Sequence, residues 1–126
     1  MRLRCLLTVF IAALLVMQTQ PAAAATESIE HIVFVWLKQP GNSFAQDTII
    51  KASQALKAIP GVIALRTGKA VPSQRRIVDS SFDVALIITL IDQAALDAYL
   101  VHPLHRRVVD EIMLPLVNRI RVYDLR

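Results

Sequence analysis

The sequence predicts an α+β domain with the element order β-α-β-β-α-β, the ferredoxin-like pattern. With 126 residues the chain is long enough for one domain and too short for two. Four runs rich in β-branched and aromatic residues alternate with two segments of helical periodicity, and turn-forming residues separate them. The hydrophobic fraction of 55% excludes a disordered chain, and the single cysteine excludes a disulfide scaffold.

The first half of the domain is predicted to be strand, helix, strand. Residues 29–38 are dense in Val, Ile, Phe and Trp, which predicts the first strand. Ser43 and Gln46 have the spacing of a capping box, so a helix should begin there and run to about Ile59. A Pro-Gly pair ends that helix, and residues 62–67 form the second strand.

The second half repeats the pattern after a polar, basic loop. Residues 82–90 predict the third strand, and Asp92 is placed to cap the next helix. Pro103 interrupts that helix at His102, because proline lacks the amide donor and restricts the residue before it. Residues 118–125 predict the last strand. Between the interruption and this strand lies a helical piece with an apolar stripe, formed by Leu104, Val108, Ile112 and Leu116.

The first strand is apolar on both of its faces. His31 and Val33 lie on one face, while Phe34 and Trp36 lie on the other. A sheet covered by helices on one face and by water on the other should alternate apolar and polar residues. Because the chain has helices for only one face, we expect a second copy to cover the other, which predicts a homodimer.

The N-terminus has the pattern of a secretory signal peptide. Arg2 and Arg4 precede an apolar run at residues 5–17, and a run of alanines follows. We therefore expect a signal peptide at residues 1–25, a domain at residues 26–126, and an exported product that is periplasmic or secreted. The alternative is a membrane anchor, but spanning a bilayer takes about 18 or more consecutive apolar residues and this run is shorter.

Removal of the signal peptide changes the charge of the product. Without Arg2 and Arg4, twelve basic residues face ten acidic ones, so the net charge falls from +4 to +2 and no cysteine remains. Binding to phosphate backbones requires a dense basic surface. We therefore expect no nucleic-acid partner, and no membrane partner after cleavage.

The residues suited to chemistry cluster around the interrupted helix. An imidazole can carry a proton in either direction near neutral pH, and a tyrosine hydroxyl beside it can donate to an oxyanion. Tyr99 and His102 lie three residues apart, and His102 and His105 flank Pro103. Two alternatives remain: one histidine caps the interruption while Tyr99 is a core residue, or His31 joins His102 and His105 in a zinc site. No HExxH pair or cysteine supports a metal, so we expect neither metal nor cofactor.

Several segments of the predicted domain form a distinctive combination: the strand His31-Ile-Val-Phe-Val-Trp-Leu-Lys38, Gly68, the strand Phe82-Asp83-Val84-Ala85-Leu86, Asp92, Leu96, the segment Tyr99-x-x-His102-Pro103-x-His105, and Asp124. Together, over nearly all of the predicted domain, they resemble the stress-responsive A/B barrel (Dabb) family. The resemblance implies a ferredoxin-like subunit whose sheets pair into a dimeric α+β barrel.

The family resemblance also implies candidate site residues. A plant polyketide cyclase of the family uses tyrosine and histidine in an intramolecular aldol condensation. Carried over by position, its acid–base pair falls on Tyr99 and His105, with His31 lining the pocket. We also expect His102, which lies beside Pro103, in the ligand pocket. The cyclase has a further pocket histidine in its third strand, where this chain has Val84 or a close neighbour.

Three function hypotheses follow. The first is an exported homodimeric barrel that binds a small apolar or aromatic ligand, or contributes to stress tolerance. The second is an acid–base enzyme of the polyketide-cyclase (aldol) type that uses Tyr99 and His105. A weaker third is an oxygenase-like dimeric α+β barrel. The first is favoured because the catalytic pattern is incomplete, and the second would gain if Tyr99 and His105 shared one enclosed cavity.

Overall fold

A computed structural model describes residues 27–126, so the predicted signal peptide at residues 1–25 lies outside the described residues. Within residues 27–126, one four-stranded antiparallel sheet carries helices on one face. None of the helices in this part of the chain is both long and apolar enough to span a bilayer.

The order of elements confirms the predicted ferredoxin-like α+β class, with the strands arranged β2-β3-β1-β4 across the sheet. The elements are β1 (Ile29–Leu37), α1 (Ser43–Ser53) with a following 3₁₀ turn (Gln54–Ala58), β2 (Val62–Lys69), β3 (Val84–Leu90), α2 (Gln93–Val101), α3 (Pro103–Arg107), a π-helical segment (Val108–Met113), α4 (Leu114–Leu116) and β4 (Val117–Leu125).

The first helix begins one residue earlier than a capping box at Ser43 would place it. The Oδ1 atom of Asn42 accepts a hydrogen bond from the Ala45 amide at 3.0 Å, and Ser43 is already helical. The predicted pairing of Ser43 with Gln46 is therefore wrong. Asparagine satisfies the free amide at least as well as serine does, and the Gln46 side chain donates instead to Asp83 at 3.4 Å.

The second helix begins and ends where the sequence predicts. Asp92 Oδ1 accepts from the Ala95 amide at 2.8 Å, which confirms Asp92 as the cap. His102 has an extended backbone that ends α2, and Pro103 opens α3 at a first-turn position where its missing amide costs nothing. The chain therefore turns between two short helices rather than continuing as one.

A buried carboxylate holds the loop between β1 and α1. Asp83, at the start of β3, accepts from the Leu37 amide at 2.9 Å, from the Gly41 amide at 2.6 Å and from the Gln46 side chain. Gly41 has a φ of 74°, a left-handed conformation that suits glycine. This network fixes where α1 starts over the sheet.

The core lies between the sheet and the helices. Every second residue of β1 and β3 points into it and is buried: Ile29, His31, Val33, Val35 and Leu37 on β1, and Val84, Leu86, Ile88 and Leu90 on β3. The only polar side chain among these nine is that of His31. Strict alternation therefore delivers one histidine into an otherwise aliphatic layer.

The opposite side of the sheet, called the open face below, carries no helix in the described residues. Its β1 residues include Phe34 and Trp36, which are half-buried. Phe34 packs edge-to-face on Phe82, with ring centroids 4.9 Å apart, and on Tyr123 at 6.1 Å. The Arg119 guanidinium lies 3.8 Å above the Trp36 ring. The open face is thus aromatic and basic.

Candidate functional site

A cavity of about 200 Å³ lies between the helix-facing side of the sheet and the helices. Its walls are aliphatic apart from two histidines and one tyrosine. This volume is below the ~300–1,000 Å³ of sites for drug-sized ligands, so its occupant must be small. The lining residues are His31, Val33, Leu86, Ile88, Ile120 and Val122 from the sheet, and Leu56, Tyr99, Leu100, His105, Val109 and Met113 from the helical layer.

Strand register gives the cavity a polar end and an apolar end. His31 pairs with Ile88 on β3 and with Asp124 on β4. Two residues further along β1, about 6.8 Å away, Val33 begins rows of purely aliphatic neighbours. A bound molecule would therefore meet its polar partners at the His31 end.

His31 is held by a carboxylate. Its Nδ1 atom lies 2.6 Å from Asp124 Oδ1, and the two side chains are 6% and 46% exposed. This contact favours a proton on Nδ1, which donates to the carboxylate. Asp124 thus fixes the ring orientation of His31.

Tyr99 lies between the two cavity histidines. Its ring centroid is 5.6 Å from that of His31 and 4.6 Å from that of His105, and the side chain is 1% exposed. Burial raises the pKa of Tyr99 above its usual value. The hydroxyl therefore stays protonated at neutral pH and can donate a hydrogen bond.

His105 is half-buried beside Tyr99. Burial lowers the pKa of His105 below its usual 6.5, and the neighbouring His31 lowers it further, while the Leu100 carbonyl and the charge of Asp110 oppose the shift. Its ring is consequently neutral at pH 7. The Nδ1 atom of His105 is buried and has no hydrogen-bond partner in residues 27–126. A buried polar atom without a partner is costly, and a ligand in the cavity would satisfy it.

The turn at Pro103 brings Tyr99 and His105 together. Tyr99 lies in the second turn of α2, and His105 lies in the first turn of α3. On a continuous helix the two residues, six apart, would point in different directions, because only positions three or four apart share a face. The extended backbone at His102 breaks the helix, and with this break both rings line one cavity.

His102 lies elsewhere. Its Nδ1 atom accepts from the Leu104 amide at 3.1 Å and caps α3, and it does not belong to the cavity lining. This is the alternative given in the sequence analysis, in which one histidine caps the helix interruption at Pro103. His102 therefore does not join His31 and His105 in the cavity lining, and residues 27–126 contain no group of three or more His, Cys, Asp or Glu side chains placed to hold a metal ion.

Two features of the site were not predicted. The first is the partnership of Asp124 with His31, which depends on the register between strands 93 residues apart. The second is the third-strand wall: Leu86 and Ile88 line the cavity, while Val84 is buried outside the lining. The sequence marks Asp124 as an acidic residue in the last strand and through the family resemblance, but neither signal pairs it with His31.

Comparisons with known proteins agree on the family. The family model described as Stress responsive A/B Barrel Domain matches residues 29–126. A Dabb-family protein from Mesorhizobium loti with a ferredoxin-like fold is 25% identical, with a TM-score of 0.64, over 79% of this chain and 95% of that chain. A dimeric ferredoxin-like protein of unknown function from Jannaschia sp. CCS1 is 27% identical, with a TM-score of 0.63, over 79% and 99% of the two chains.

A third solved structure is an enzyme. The hydroxynitrile lyase from Passiflora edulis is 22% identical, with a TM-score of 0.66, over 79% of this chain and 92% of that chain. At this identity the likeness concerns the fold alone. No curated protein matches the chain.

Proposed function

Because the chain belongs to the stress responsive A/B barrel (Dabb) family, we propose that it is an exported homodimer whose cavity binds a small, neutral, largely apolar carbonyl compound and moves a proton on it. One observation carries the chemical part of this proposal. His31, Tyr99 and His105 meet at one end of an otherwise aliphatic cavity.

The walls define the class of ligand. No lysine, arginine, aspartate or glutamate is among the lining residues of the cavity, so a permanently charged ligand of either sign would lack a counter-charge in its walls. The aliphatic rows suit a ring or a short chain, and the polar end suits a single carbonyl or hydroxyl group. The volume of about 200 Å³ favours a ligand with one small ring.

The polar end can perform acid–base chemistry. The Tyr99 hydroxyl would donate to the carbonyl oxygen and stabilise the negative charge that develops there. The neutral His105 ring would accept a proton from the carbon beside the carbonyl and return it in the second half of the reaction. Such proton transfer underlies aldol and lyase reactions, and the hydroxynitrile lyase shows that this fold can host an enzyme.

Exchange of carbon-bound hydrogen tests this chemistry without knowledge of the natural substrate. A panel of small ketones and aldehydes is incubated with the protein in D₂O, and loss of the proton signal beside the carbonyl is followed by NMR. We expect Tyr99→Phe and His105→Ala to slow exchange by at least 100-fold. His102→Asn is the matched control, because asparagine keeps a helix cap and removes an imidazole outside the cavity.

A second candidate is binding without turnover, which the aliphatic lining favours. In that case panel compounds would raise the melting temperature of the protein, and exchange rates would be the same for the wild type and both cavity variants. If the exchange rates of Tyr99→Phe and His105→Ala equalled that of the wild type, the catalytic roles of the two residues would be contradicted. Ligand binding in the cavity would then be the function supported.

The homodimer is proposed from the open face. A sheet face that carries Ile32, Phe34 and Trp36 needs cover, and solved relatives are described as dimeric. Light scattering at micromolar concentration should give twice the mass of one chain for the wild type, and the mass of a single chain for Phe34→Glu. A monodisperse monomer of the wild type would refute the dimer.

Export is proposed from the sequence pattern at residues 1–25. Expression of the whole chain in a bacterial host, followed by N-terminal sequencing of the product outside the cytoplasm, should give a start at or within two residues of Thr26. Retention of the full-length chain in the cytoplasm would contradict export.

A further inference from the structure

The loop between β2 and β3 presents aliphatic side chains to solvent. Ile77 is 90% exposed and Val71 is 79% exposed, which places both among the most exposed large apolar residues of the described chain. Isolated exposed apolar residues are common on proteins. Turns favour Gly, Asn, Asp, Pro and Ser, so two exposed aliphatic side chains in one loop, one of them an isoleucine at its tip, are not explained by the needs of the turn.

The tip of this loop has a defined conformation. The Val78 amide donates to the Arg75 carbonyl at 3.0 Å, which closes a turn with Arg76 and Ile77 at its two central positions. The Arg75 amide donates to Ser73 Oγ at 3.1 Å. The isoleucine is therefore held outward by local hydrogen bonds.

The base of the loop is attached to the sheet. The Trp36 indole donates to Ser81 Oγ at 3.0 Å, and the Ser81 amide donates to Asp79 at 2.9 Å. The tip thus projects from a fixed support, so that an interaction at Ile77 would orient the whole domain.

The charges at the tip are basic and free. Arg75 and Arg76 are both exposed, and neither has a carboxylate within 4 Å in the described part of the chain. Lys69, at the other end of the loop, is instead paired with Asp47 at 2.7 Å. An exposed isoleucine preceded by two arginines that have no carboxylate partner in the described chain matches a surface that is apolar and anionic at once.

We propose that this loop tip, Arg75–Ile77, binds the surface of an anionic lipid bilayer. Ile77 would enter the interfacial layer, with Val71 behind it, while the two arginines contact headgroup phosphates. Nucleic acid fits less well, because it offers phosphates but no apolar layer and its binding requires more cations than two. This inference goes beyond the ligand cavity, and it revises the sequence-based expectation of no membrane partner, since only the structure shows that Ile77 is exposed.

Vesicle binding tests the proposal. The full-length chain, purified in the form that the expression host delivers, is mixed with vesicles of phosphatidylcholine alone or with phosphatidylglycerol added, and the bound fraction is measured by flotation. We expect binding to the anionic vesicles that falls as salt rises. The Arg75→Ala/Arg76→Ala double variant should bind about 10- to 30-fold more weakly, and Ile77→Ser several-fold more weakly.

The chain offers matched controls for both features. Arg106 and Arg107 form a second exposed arginine pair, and Phe44 is 79% exposed at the start of α1. Arg106→Ala/Arg107→Ala and Phe44→Ser should leave vesicle binding unchanged, and circular dichroism should show that every variant is folded. Because any retained leader is common to all variants, only differences between them count.

Two outcomes would overturn the proposal. In the first, the tip variants and the controls bind vesicles equally, so the tip does not recognise lipid. In the second, Ile77→Ser lowers the mass measured by light scattering and leaves vesicle binding intact, so the tip contacts a second copy of the chain.

Discussion

Replacing His105 with phenylalanine should leave the folded protein as stable as the wild type or more stable. The reason is the state of the imidazole: its Nδ1 atom is buried without a partner, and burial lowers its pKa. A residue retained for packing would instead show a loss of stability when it is replaced.

The magnitude follows from the contacts that are removed. A buried polar atom without a partner costs about 1–3 kcal/mol, and loss of the contact with the Leu100 carbonyl costs about 0.5–1.5 kcal/mol in the other direction. Because His105 is only half-buried, we expect a net gain between zero and about 1 kcal/mol in the free energy of unfolding at pH 7.5. Leu86→Ala, at a buried residue of the same cavity, should lose about 2–5 kcal/mol.

Acidification should widen the difference in the free energy of unfolding between His105→Phe and the wild type. Between the lowered pKa of His105 and its usual 6.5, the unfolded wild-type chain binds more protons than the folded one. Wild-type stability therefore falls as the pH drops through this window and stays reduced below it, while His105→Phe lacks this loss. The stability gap should be smallest above pH 6.5 and largest below the lowered pKa.

Urea denaturation followed by circular dichroism measures both effects, at one protein concentration because a dimer is expected. A loss of more than about 1 kcal/mol at pH 7.5 would show that His105 is a structural residue with satisfied hydrogen bonds. If the difference in the free energy of unfolding between His105→Phe and the wild type narrows on acidification, the pKa of His105 is raised rather than lowered. That result would contradict a neutral His105 in the cavity.

Three further predictions test the supports of the site and the fold. Asp124→Asn should change the tautomer of His31, which is measured by the ¹⁵N chemical shifts of its ring, and should slow the exchange of carbon-bound hydrogen. The free energy of unfolding should change by less than about 1 kcal/mol, because Asp124 is partly exposed. Asp83→Ala should cost about 3 kcal/mol in urea denaturation, since it leaves buried amides without acceptors; a loss under 1 kcal/mol would contradict its role. Gly61→Ala should lower the free energy of unfolding by about 2–4 kcal/mol, because the φ of Gly61 is 90° and the added Cβ would lie 2.6 Å from the Cβ of Ala95. Gly41 also has a positive φ but no atom within 4 Å of the added Cβ, so Gly41→Ala should lower it by only about 1–2 kcal/mol. Equal losses at the two glycines would argue against the steric contact.

Local patterns accounted for the order of elements and the fold class. Runs of β-branched residues and helical spacing are properties of neighbouring residues, and Asp92 was found as a cap for the same reason. The error at Ser43 shows the limit of this reasoning. Adjacent Asn42 and Ser43 can both cap a helix, and the Asp83 network across the β1–α1 loop helps to decide which one does.

The cavity was only partly predictable, because its walls depend on geometry between distant segments. Tyr99 and His105 were candidates from the start, yet their contact depends on the angle at Pro103. The apolar stripe with buried Val108 lies along a groove shared with α1, while the π-helical segment places Val109 and Met113 against the cavity. A π-helix has more residues per turn than an α-helix, so side-chain directions read from α-helical spacing shift along it.

The two faces of the sheet should act independently. Alternation along β1 places the ligand cavity on the helix-facing side and the predicted dimer contact on the open face, with the sheet between them. Changes at Met113 in the cavity wall and at Trp36 on the open face share no contact in the described chain. Their effects on the free energy of unfolding should therefore add to within about 0.5 kcal/mol in a double-mutant cycle. A coupling above about 1 kcal/mol would show that the sheet transmits strain between the faces, and dimerisation would then be able to reshape the cavity.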